Sequence, residues 1–209
     1  MLNTVRPEDI IDSEFVNRFL LPKPPVMLSD VERQCILSLA RKYLQGCGGF
    51  EIGTWRGYTT AMLAKAFPEE SFVTVDYPQP NHPKYPQFLP QDEIGIECKQ
   101  LENVEQIYQD SSTLTLENFP EGTTFDFAFI DGCHEINYII HDYKLAFDLT
   151  TSRGIIIFDD FCIDYVKEIN RGNHKKFSNG DVSLFIKEYR DVNDWYYIEG
   201  TKLVYMIGI

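Results

Sequence analysis

Positive charge is scarce in this 209-residue sequence. Its 19 lysines and arginines stand against 32 aspartates and glutamates, which gives a net charge of −13. Proteins that follow a nucleic-acid backbone or an anionic membrane need a basic surface, and Lys175 and Lys176 form the only adjacent basic pair after residue 43. The composition therefore disfavours a nucleic-acid or membrane-surface partner.

Paired cysteines and long apolar segments are missing as well. The 5 cysteines contain no C-x-x-C pair, which argues against a disulfide framework or a cysteine zinc site and favours free thiols in a reducing compartment. No segment approaches the ~20 apolar residues of a membrane-spanning helix, and residues 1–15 lack the apolar stretch of a signal peptide. We therefore expect a cytoplasmic protein.

Hydrophobic periodicity predicts one α/β domain over residues 29–209, preceded by a lead-in over residues 1–28. Ser29 and Glu32 match the S-x-x-E capping box of a helix start. Strand-like runs alternate with amphipathic helices from Ser29 onward. The last two runs, joined by a turn around Gly200, predict an antiparallel hairpin. The fold class is a doubly wound, mostly parallel seven-stranded sheet with a C-terminal antiparallel hairpin. The predicted strands are Phe50–Ile52, Ser71–Asp76, 104–109, Phe125–Ile130, Ile155–Phe158, Trp195–Ile198 and Leu203–Ile207.

Proline-rich and irregular segments lie between these elements. Residues 77–90 contain five prolines and predict a loop, and a short helix is predicted for residues 91–101. Together with residues 1–28 and 161–180, this loop is expected to cover the substrate, with residues 1–28 as a lid.

A glycine-containing turn follows the first predicted strand, in the segment EIGTWRGYTT at residues 51–60. Glycines there let the backbone approach a ligand, although glycines in such turns also occur for the turn alone. Glu51 beside the turn suits a ligand that carries an amine, and Asp76 at the next strand end can accept hydrogen bonds from a ribose diol. The turn lacks the full G-x-G-x-x-G of a nicotinamide-nucleotide site.

This segment resembles the first motif of class I S-adenosylmethionine-dependent methyltransferases, in the version of the catechol and caffeoyl-coenzyme A O-methyltransferases. The resemblance covers residues 29–209 and implies a Rossmann-like methyltransferase fold and an enzyme of EC class 2.1.1. In that assignment the turn surrounds the methionine part of the cofactor, the acid after the second strand holds the ribose and the residues after the third strand flank the adenine. The implied cofactor-binding residues are Glu51, Gly53, Thr54, Gly57, Asp76, Asp110, Ser111 and Asp131.

Three carboxylates follow two further strand ends: Asp131 after FDFAFI, and Asp159 and Asp160 after IIIF. Converging carboxylates repel unless a cation lies among them, and oxygen ligands favour Mg²⁺, Mn²⁺ or Ca²⁺. Aspartate is also common at strand ends simply because it caps the next helix. Metal-dependent members of the group carry acids at these places, so the resemblance implies a metal site of Asp131, Asp159 and Asp160, with Mg²⁺ as the first choice.

His134 is the candidate catalytic residue. It lies in I-D-G-C-H, which resembles the I-D-G-x-H of a branch of bacterial methyltransferases. The catechol-type enzymes carry a lysine base here, and histidine, with a pKa near ~6.5, can also take a proton from a hydroxyl. The alternative is a polar residue at a helix start that only hydrogen-bonds the backbone or the cofactor.

The predicted function is divalent-metal-assisted O-methylation of a small hydroxylated molecule, a sugar or a phenol. Two alternatives stay open at this point. One is a metal-independent methyltransferase acting on another small acceptor, and the other is a non-catalytic nucleotide-binding or interaction protein of the same fold. Related enzymes are often dimers, so a homodimer is expected by analogy.

Overall fold

The computed structural model describes residues 2–20, 28–79, 89–170, 180–189 and 194–208. Within these ranges an eight-stranded sheet is flanked by helices on both faces. The strands are β1 (Asn3–Val5), β2 (Gly49–Ile52), β3 (Phe72–Asp76), β4 (Val104–Tyr108), β5 (Phe125–Ile130), β6 (Thr150–Phe158), β7 (Trp195–Ile198) and β8 (Val204–Ile207). The α-helices are α1 (Ser13–Phe19), α2 (Asp30–Tyr43), α3 (Tyr58–Ala66), α4 (Ile136–Leu149), α5 (Ile163–Asn170) and α6 (Gly180–Tyr189).

The sheet order is β1-β7-β8-β6-β5-β2-β3-β4. Strands β4, β3, β2, β5 and β6 run parallel, whereas β8 is antiparallel to both β6 and β7. The predicted doubly wound fold with its terminal hairpin is therefore confirmed. Strand β1 lies within the predicted lead-in and pairs in parallel with β7. It was not predicted, because three residues are too short to show an alternating pattern.

Both faces of the central strands are buried, which explains their unbroken apolar sequences. On β6, Ile155 and Ile157 pack in the same cluster as residues of α2 and α3. Their neighbours Ile156 and Phe158 point the other way, into a cluster with residues of α4 and α6. Because all four side chains are at most 1% exposed, the helices cover the sheet completely at its centre.

The predicted capping box at the start of α2 is present. The Ser29 hydroxyl accepts a hydrogen bond from the Glu32 amide at 3.2 Å, and Glu32 Oε2 accepts one from the Ser29 amide at 2.6 Å. Two otherwise unpaired amides of the first turn are thereby satisfied.

Residues 91–101 form successive turns instead of the predicted helix. Gly95 adopts φ +65°, a left-handed conformation that interrupts a helix. Its amide donates to the Trp55 carbonyl at 2.8 Å, and the Glu97 amide donates to the Arg56 carbonyl at 3.0 Å. Ile94 and Cys98 are buried, and the glycine turn holds the segment in place.

The segments predicted to cover the substrate are only partly described, and residues 1, 21–27, 80–88 and 171–179 lie outside the described residues. In the part of the chain that is described, no helix combines the length and the apolar character needed to cross a membrane.

Candidate active site

The candidate site lies at the edge of the sheet where the parallel strands end. The chain leaves β2 toward β3 on one side and β5 toward β6 on the other. In open α/β sheets such a switch in direction opens the crevice in which ligands bind. Gly53 and Asp131, the first residues beyond β2 and β5, meet at this crevice. Gly53 adopts φ +101°, and a Cβ at this position would collide with the Asp131 carbonyl.

Gly57 closes the glycine turn and precedes the first residue of α3. It adopts φ +83°, and a Cβ there would lie 2.5 Å from Cys98 Sγ and 3.0 Å from Gly95 Cα. Glycine is thus needed both for the backbone conformation and for the close packing of residues 95–98. Between the two glycines, Trp55 also has a positive φ, of 45°.

Glu51 lies beneath the glycine turn, with its residue only 5% exposed. Its Oε2 accepts hydrogen bonds from the hydroxyls of Thr60 on α3 and Thr74 on β3, the latter at 2.8 Å. Burial raises the pKa of Glu51 to about 7 against the lowering effect of these bonds, and the charge of Asp76 raises it further. The carboxyl group therefore joins the turn, the helix and the sheet.

Asp76 is the last residue of β3, and its carboxylate binds the backbone of the glycine turn. Its Oδ2 accepts the Trp55 amide at 2.5 Å and its Oδ1 accepts the Tyr77 amide at 2.7 Å. Burial raises the pKa of Asp76, while these two backbone hydrogen bonds lower it. Because each carboxylate oxygen has two lone pairs, both oxygens retain an acceptor position for a ligand.

The remaining predicted cofactor residues divide between the crevice edge and the interior. Asp110, after β4, caps a short helical turn by accepting the Ser112 amide at 3.0 Å, and it accepts the Tyr138 hydroxyl at 3.2 Å. Ser111 beside it is 9% exposed. The Thr54 hydroxyl is 2.6 Å from that of Thr74 and is buried.

Asp131, His134 and Asp160 come together next to the glycine turn. One potential ligand atom from each of the three lies within 4.8 Å of the other two. His134 Nδ1 is 2.9 Å from Asp160 Oδ2, and its Nε2 is 3.9 Å from Asp131 Oδ1. Burial raises the pKa of Asp131 well above its usual range, and the charges of Asp159 and Asp160 raise it further.

Asp159, the other predicted metal ligand, is not a member of that group within the described residues. Its amide donates to the Ile130 carbonyl at 3.1 Å, and its side chain is buried at the β5–β6 edge. Burial raises the pKa of Asp159, as does the charge of Asp160. Among the described atoms its Oδ1 has no hydrogen-bond partner, so a buried carboxyl oxygen beside the group is open to a ligand.

Lys202 belongs to the site and was missed by the sequence analysis. It follows the turn between β7 and β8, and its Nζ lies 2.8 Å from Asp160 Oδ1. Burial alone would raise the pKa of Asp160, but hydrogen bonds from His134 and Lys202 lower it. A lysine 42 positions from its partner leaves no local pattern, so only the known fold could reveal this pair.

The arrangement fixes the chemistry open to His134. An ionised Asp160 can only accept a hydrogen bond, so Nδ1 carries the hydrogen and Nε2 is left with a lone pair when the ring is neutral. Among the described atoms Nε2 is buried and has no hydrogen-bond partner. This is the form in which histidine acts as a base or as a metal ligand.

Solved structures with the same fold include several methyltransferases. The O-methyltransferase TomG from Streptomyces achromogenes, in complex with SAM (S-adenosylmethionine), has a TM-score of 0.64 and 18% identity, and the match covers 98% of this chain and 100% of TomG. An O-methyltransferase from Bacillus cereus in complex with SAH (S-adenosylhomocysteine) has a TM-score of 0.63 and 18% identity, with coverage of 96% and 99%.

MycE, a methyltransferase of the mycinamycin biosynthetic pathway in complex with Mg and SAH, has a TM-score of 0.59 and 17% identity, with coverage of 94% of this chain and 54% of MycE. At such identities the likeness concerns the fold. No curated protein sequence matches the chain.

A family model described as a methyltransferase domain matches residues 50–161. The matched range begins in β2 and ends just after Asp160, so it contains the glycine turn and the acids of the candidate site. Because it also spans more than half of the chain, the predicted resemblance and enzyme class are confirmed: the chain belongs to this methyltransferase family.

Proposed function

We propose that this methyltransferase transfers the methyl group of S-adenosylmethionine to a hydroxyl group of a small molecule, a sugar or a phenol. The observation that carries the proposal is the position of Asp131. Its backbone meets Gly53 of the glycine turn, and its carboxylate is 3.9 Å from His134 Nε2. A cofactor on the turn and a hydroxyl at the histidine would therefore be neighbours, as direct transfer requires.

In this proposal the cofactor lies along the ends of β2, β3 and β4. Gly53 and Gly57 let the backbone approach the methionine part, with Glu51 and Thr54 supporting the turn from below. Asp76 accepts the ribose hydroxyls, and Asp110 and Ser111 flank the adenine. The similar structures that contain SAM or SAH support this choice of cofactor.

His134 is the base that we propose for the acceptor. Its free Nε2 accepts the hydroxyl proton while Asp160 holds Nδ1 and fixes the ring. A positioned base of this kind contributes roughly 10²- to 10⁴-fold to the rate. The methyl group then moves in line from the sulfonium to the oxygen, and the positive charge on sulfur is lost.

The residues present fit a divalent cation. Three carboxylates and a histidine lie at one edge, and both Asp159 Oδ1 and His134 Nε2 are buried without a partner among the described atoms. We propose Asp131, Asp159 and Asp160 as ligands, with His134 adjoining them and Mg²⁺ as the first choice. Such an ion supplies Lewis acidity, which lowers the pKa of a bound hydroxyl. The Mg in the MycE structure supports this part of the proposal.

One observation favours a second candidate, metal-independent transfer to a small acceptor. Both oxygens of Asp160 already have partners, His134 Nδ1 at 2.9 Å and Lys202 Nζ at 2.8 Å. The ammonium group of Lys202 offsets part of the negative charge without an ion.

A homodimer and a cytoplasmic location stay predictions.

Calorimetric titration with S-adenosylhomocysteine tests the cofactor proposal. The wild-type chain should bind it saturably at micromolar concentration, and Asp76→Asn should weaken binding by roughly tenfold or more, because charge-assisted hydrogen bonds to the ribose are lost. Asp148→Asn is the matched control, since Asp148 is exposed near the end of α4, which leads away from the crevice. Absence of binding by the wild-type chain would reject the proposal, and unchanged binding by Asp76→Asn would remove Asp76 from the site.

Turnover assays separate the metal-assisted function from the metal-independent one. The cofactor titration is repeated with Mg²⁺ and then with a chelator, and turnover of small sugars and phenols is measured under both conditions. If the three aspartates bind an ion, the turnover rate should depend on the metal. Full turnover in chelator would instead favour the metal-independent candidate.

A further inference from the structure

We call Asp131, Asp159 and Asp160 the acid cluster. Among the described residues, Lys202 is the only lysine or arginine with an ion pair to this cluster, and the proposed methyl transfer does not use it. Its ammonium group lies 2.8 Å from Asp160 Oδ1, and its side chain is 58% exposed. The Asp160 side chain is only 13% exposed. A flexible, largely hydrated cation thus neutralises a largely buried anion.

The backbone of Lys202 is fixed on both sides. Its amide donates to Glu32 Oε1 at 2.8 Å, and its carbonyl accepts the Phe161 amide at 2.9 Å. Glu32 is itself buried and bound in the capping box of α2. Only the side chain can therefore move away from Asp160, and the short tether keeps the ammonium group at a high local concentration.

A divalent ion bound to Asp160 would lie within a few ångströms of that ammonium group. Like charges at this distance repel in a partly buried site. Each Asp160 oxygen already has one partner, His134 Nδ1 on Oδ2 and Lys202 Nζ on Oδ1, and each keeps one further acceptor position. An ion that takes Asp160 as a ligand would therefore be held next to the ammonium group, and the repulsion is relieved when the Lys202 side chain, which is already 58% exposed, moves into solvent.

We propose that Lys202 is a built-in counter-ion that competes with the divalent cation for Asp160, so that metal binding and the Lys202–Asp160 ion pair exclude each other. The inference rests on the metal site of the proposed function. In this role Lys202 is a positioning residue that lowers the affinity of the site for the metal. Without the ion, its ammonium group balances part of the negative charge of the acids. When the ion binds, the same positive charge weakens its binding.

Mn²⁺ alone serves as the probe, with free Mn²⁺ measured by electron paramagnetic resonance during titration of the full-length chain. Lys202→Met removes the ammonium group and should tighten Mn²⁺ binding by about fivefold, the upper end of the scale for one partly exposed ion pair. Lys202→Arg keeps the charge and should stay within about twofold of wild type. Lys65→Met makes the same change in net charge on an exposed residue near the end of α3 and should also stay near wild type.

The outcomes separate this inference from the proposal beneath it. Saturable Mn²⁺ binding that is equal or weaker in Lys202→Met overturns the counter-ion role and leaves the metal site standing. Absence of Mn²⁺ binding in every variant, including Lys202→Met, overturns both. S-adenosylhomocysteine titration of the same samples reports separately on the cofactor site, and thermal unfolding confirms that each variant is folded.

Discussion

The orientation of His134 determines what the acid cluster can do. Asp160 holds Nδ1 at 2.9 Å, so Nε2 is the nitrogen left for a proton or a ligand. The sequence analysis proposed either a base or a polar helix-start residue. The contact with Asp160 favours the base, because a histidine that only caps α4 would need no carboxylate behind its ring.

His134→Gln should lower turnover by roughly 10²- to 10⁴-fold, because glutamine cannot accept the acceptor's proton. The affinity for S-adenosylhomocysteine should stay unchanged. His141→Gln is the matched control, since His141 Nε2 contacts the Leu114 carbonyl at 3.1 Å. Rates measured with the best acceptor from a panel of sugars and phenols, at saturating cofactor, would decide the matter. Full turnover by His134→Gln would end its candidacy as the base.

The position of a single site residue could be predicted from the sequence only where the residue follows a recognisable strand. Asp76, Asp131 and Asp159 follow apolar runs, so their place at one edge could be inferred before the fold was known. Lys202 follows a surface turn without any such pattern. Only one of the two roles of Glu32 could be predicted. Its spacing from Ser29 predicted the helix cap, but its hydrogen bond with the Lys202 amide joins residues 170 positions apart and leaves no local pattern.

The glycine turn owes its shape to several contacts beyond its own sequence. Asp76 holds the Trp55 amide, and the carbonyls of Trp55 and Arg56 accept amides from residues 95 and 97. Arg56 also forms an ion pair with Glu93 at 3.0 Å. The turn is thus enclosed between β3 and a segment that the sequence analysis predicted as a separate helix.

Gly57→Ala should therefore cost more stability than its backbone conformation alone requires. An alanine at positive φ costs about 1–2 kcal/mol, and the collision with Cys98 Sγ adds about 1–3 kcal/mol for overpacking. Gly122→Ala is the matched control, with φ +82° and open space around the added Cβ. The free energy of unfolding in urea should fall clearly more for Gly57→Ala. Equal losses would mean that residues 95–98 yield without strain.

Among the elements, the parallel strands and the hairpin could be predicted, and β1 and residues 91–101 could not. The central strands are apolar throughout because helices cover both faces, and this leaves a strong signal. In contrast, β1 is three residues long, and the predicted helix fails at Gly95 because its amide bonds to Trp55 across the chain. β1 is too short to leave a pattern, whereas in residues 91–101 a tertiary contact overrides the local pattern.

Across the whole molecule, buried acids make stability depend on pH. Burial raises the pKa of both Glu51 and Asp142 to about 7, whereas a glutamate in the unfolded chain titrates near ~4.3. Between these values the folded chain binds more protons than the unfolded chain. The contribution of such a group is therefore fully present below pH ~4 and is lost as the pH rises through 7.

Glu51→Gln should flatten this dependence. Without cofactor, the variant should gain about 2–3 kcal/mol of unfolding free energy relative to wild type between pH 5 and pH 8. Urea denaturation at the two pH values measures it, and the slope that remains is expected from the other acids whose pKa burial raises, Asp76, Asp131, Asp142 and Asp159. Glu105→Gln makes the same chemical change at an exposed position on β4 and serves as the control. A slope in Glu51→Gln that equals that of wild type would contradict the assignment.

The placement of β8 between β6 and β7 has a consequence for how the chain acquires its structure during synthesis. Because β8 pairs with both β6 and β7, the part of the sheet beyond β6 can form only after the hairpin has been synthesised. Because β1 pairs only with β7 among the described strands, with Asn3 opposite Tyr196, it pairs only after the long stretch of chain between the two strands has been synthesised. Lys202 belongs to the same hairpin, so Asp131, Asp159 and Asp160 are all synthesised before the cation that later lies beside them.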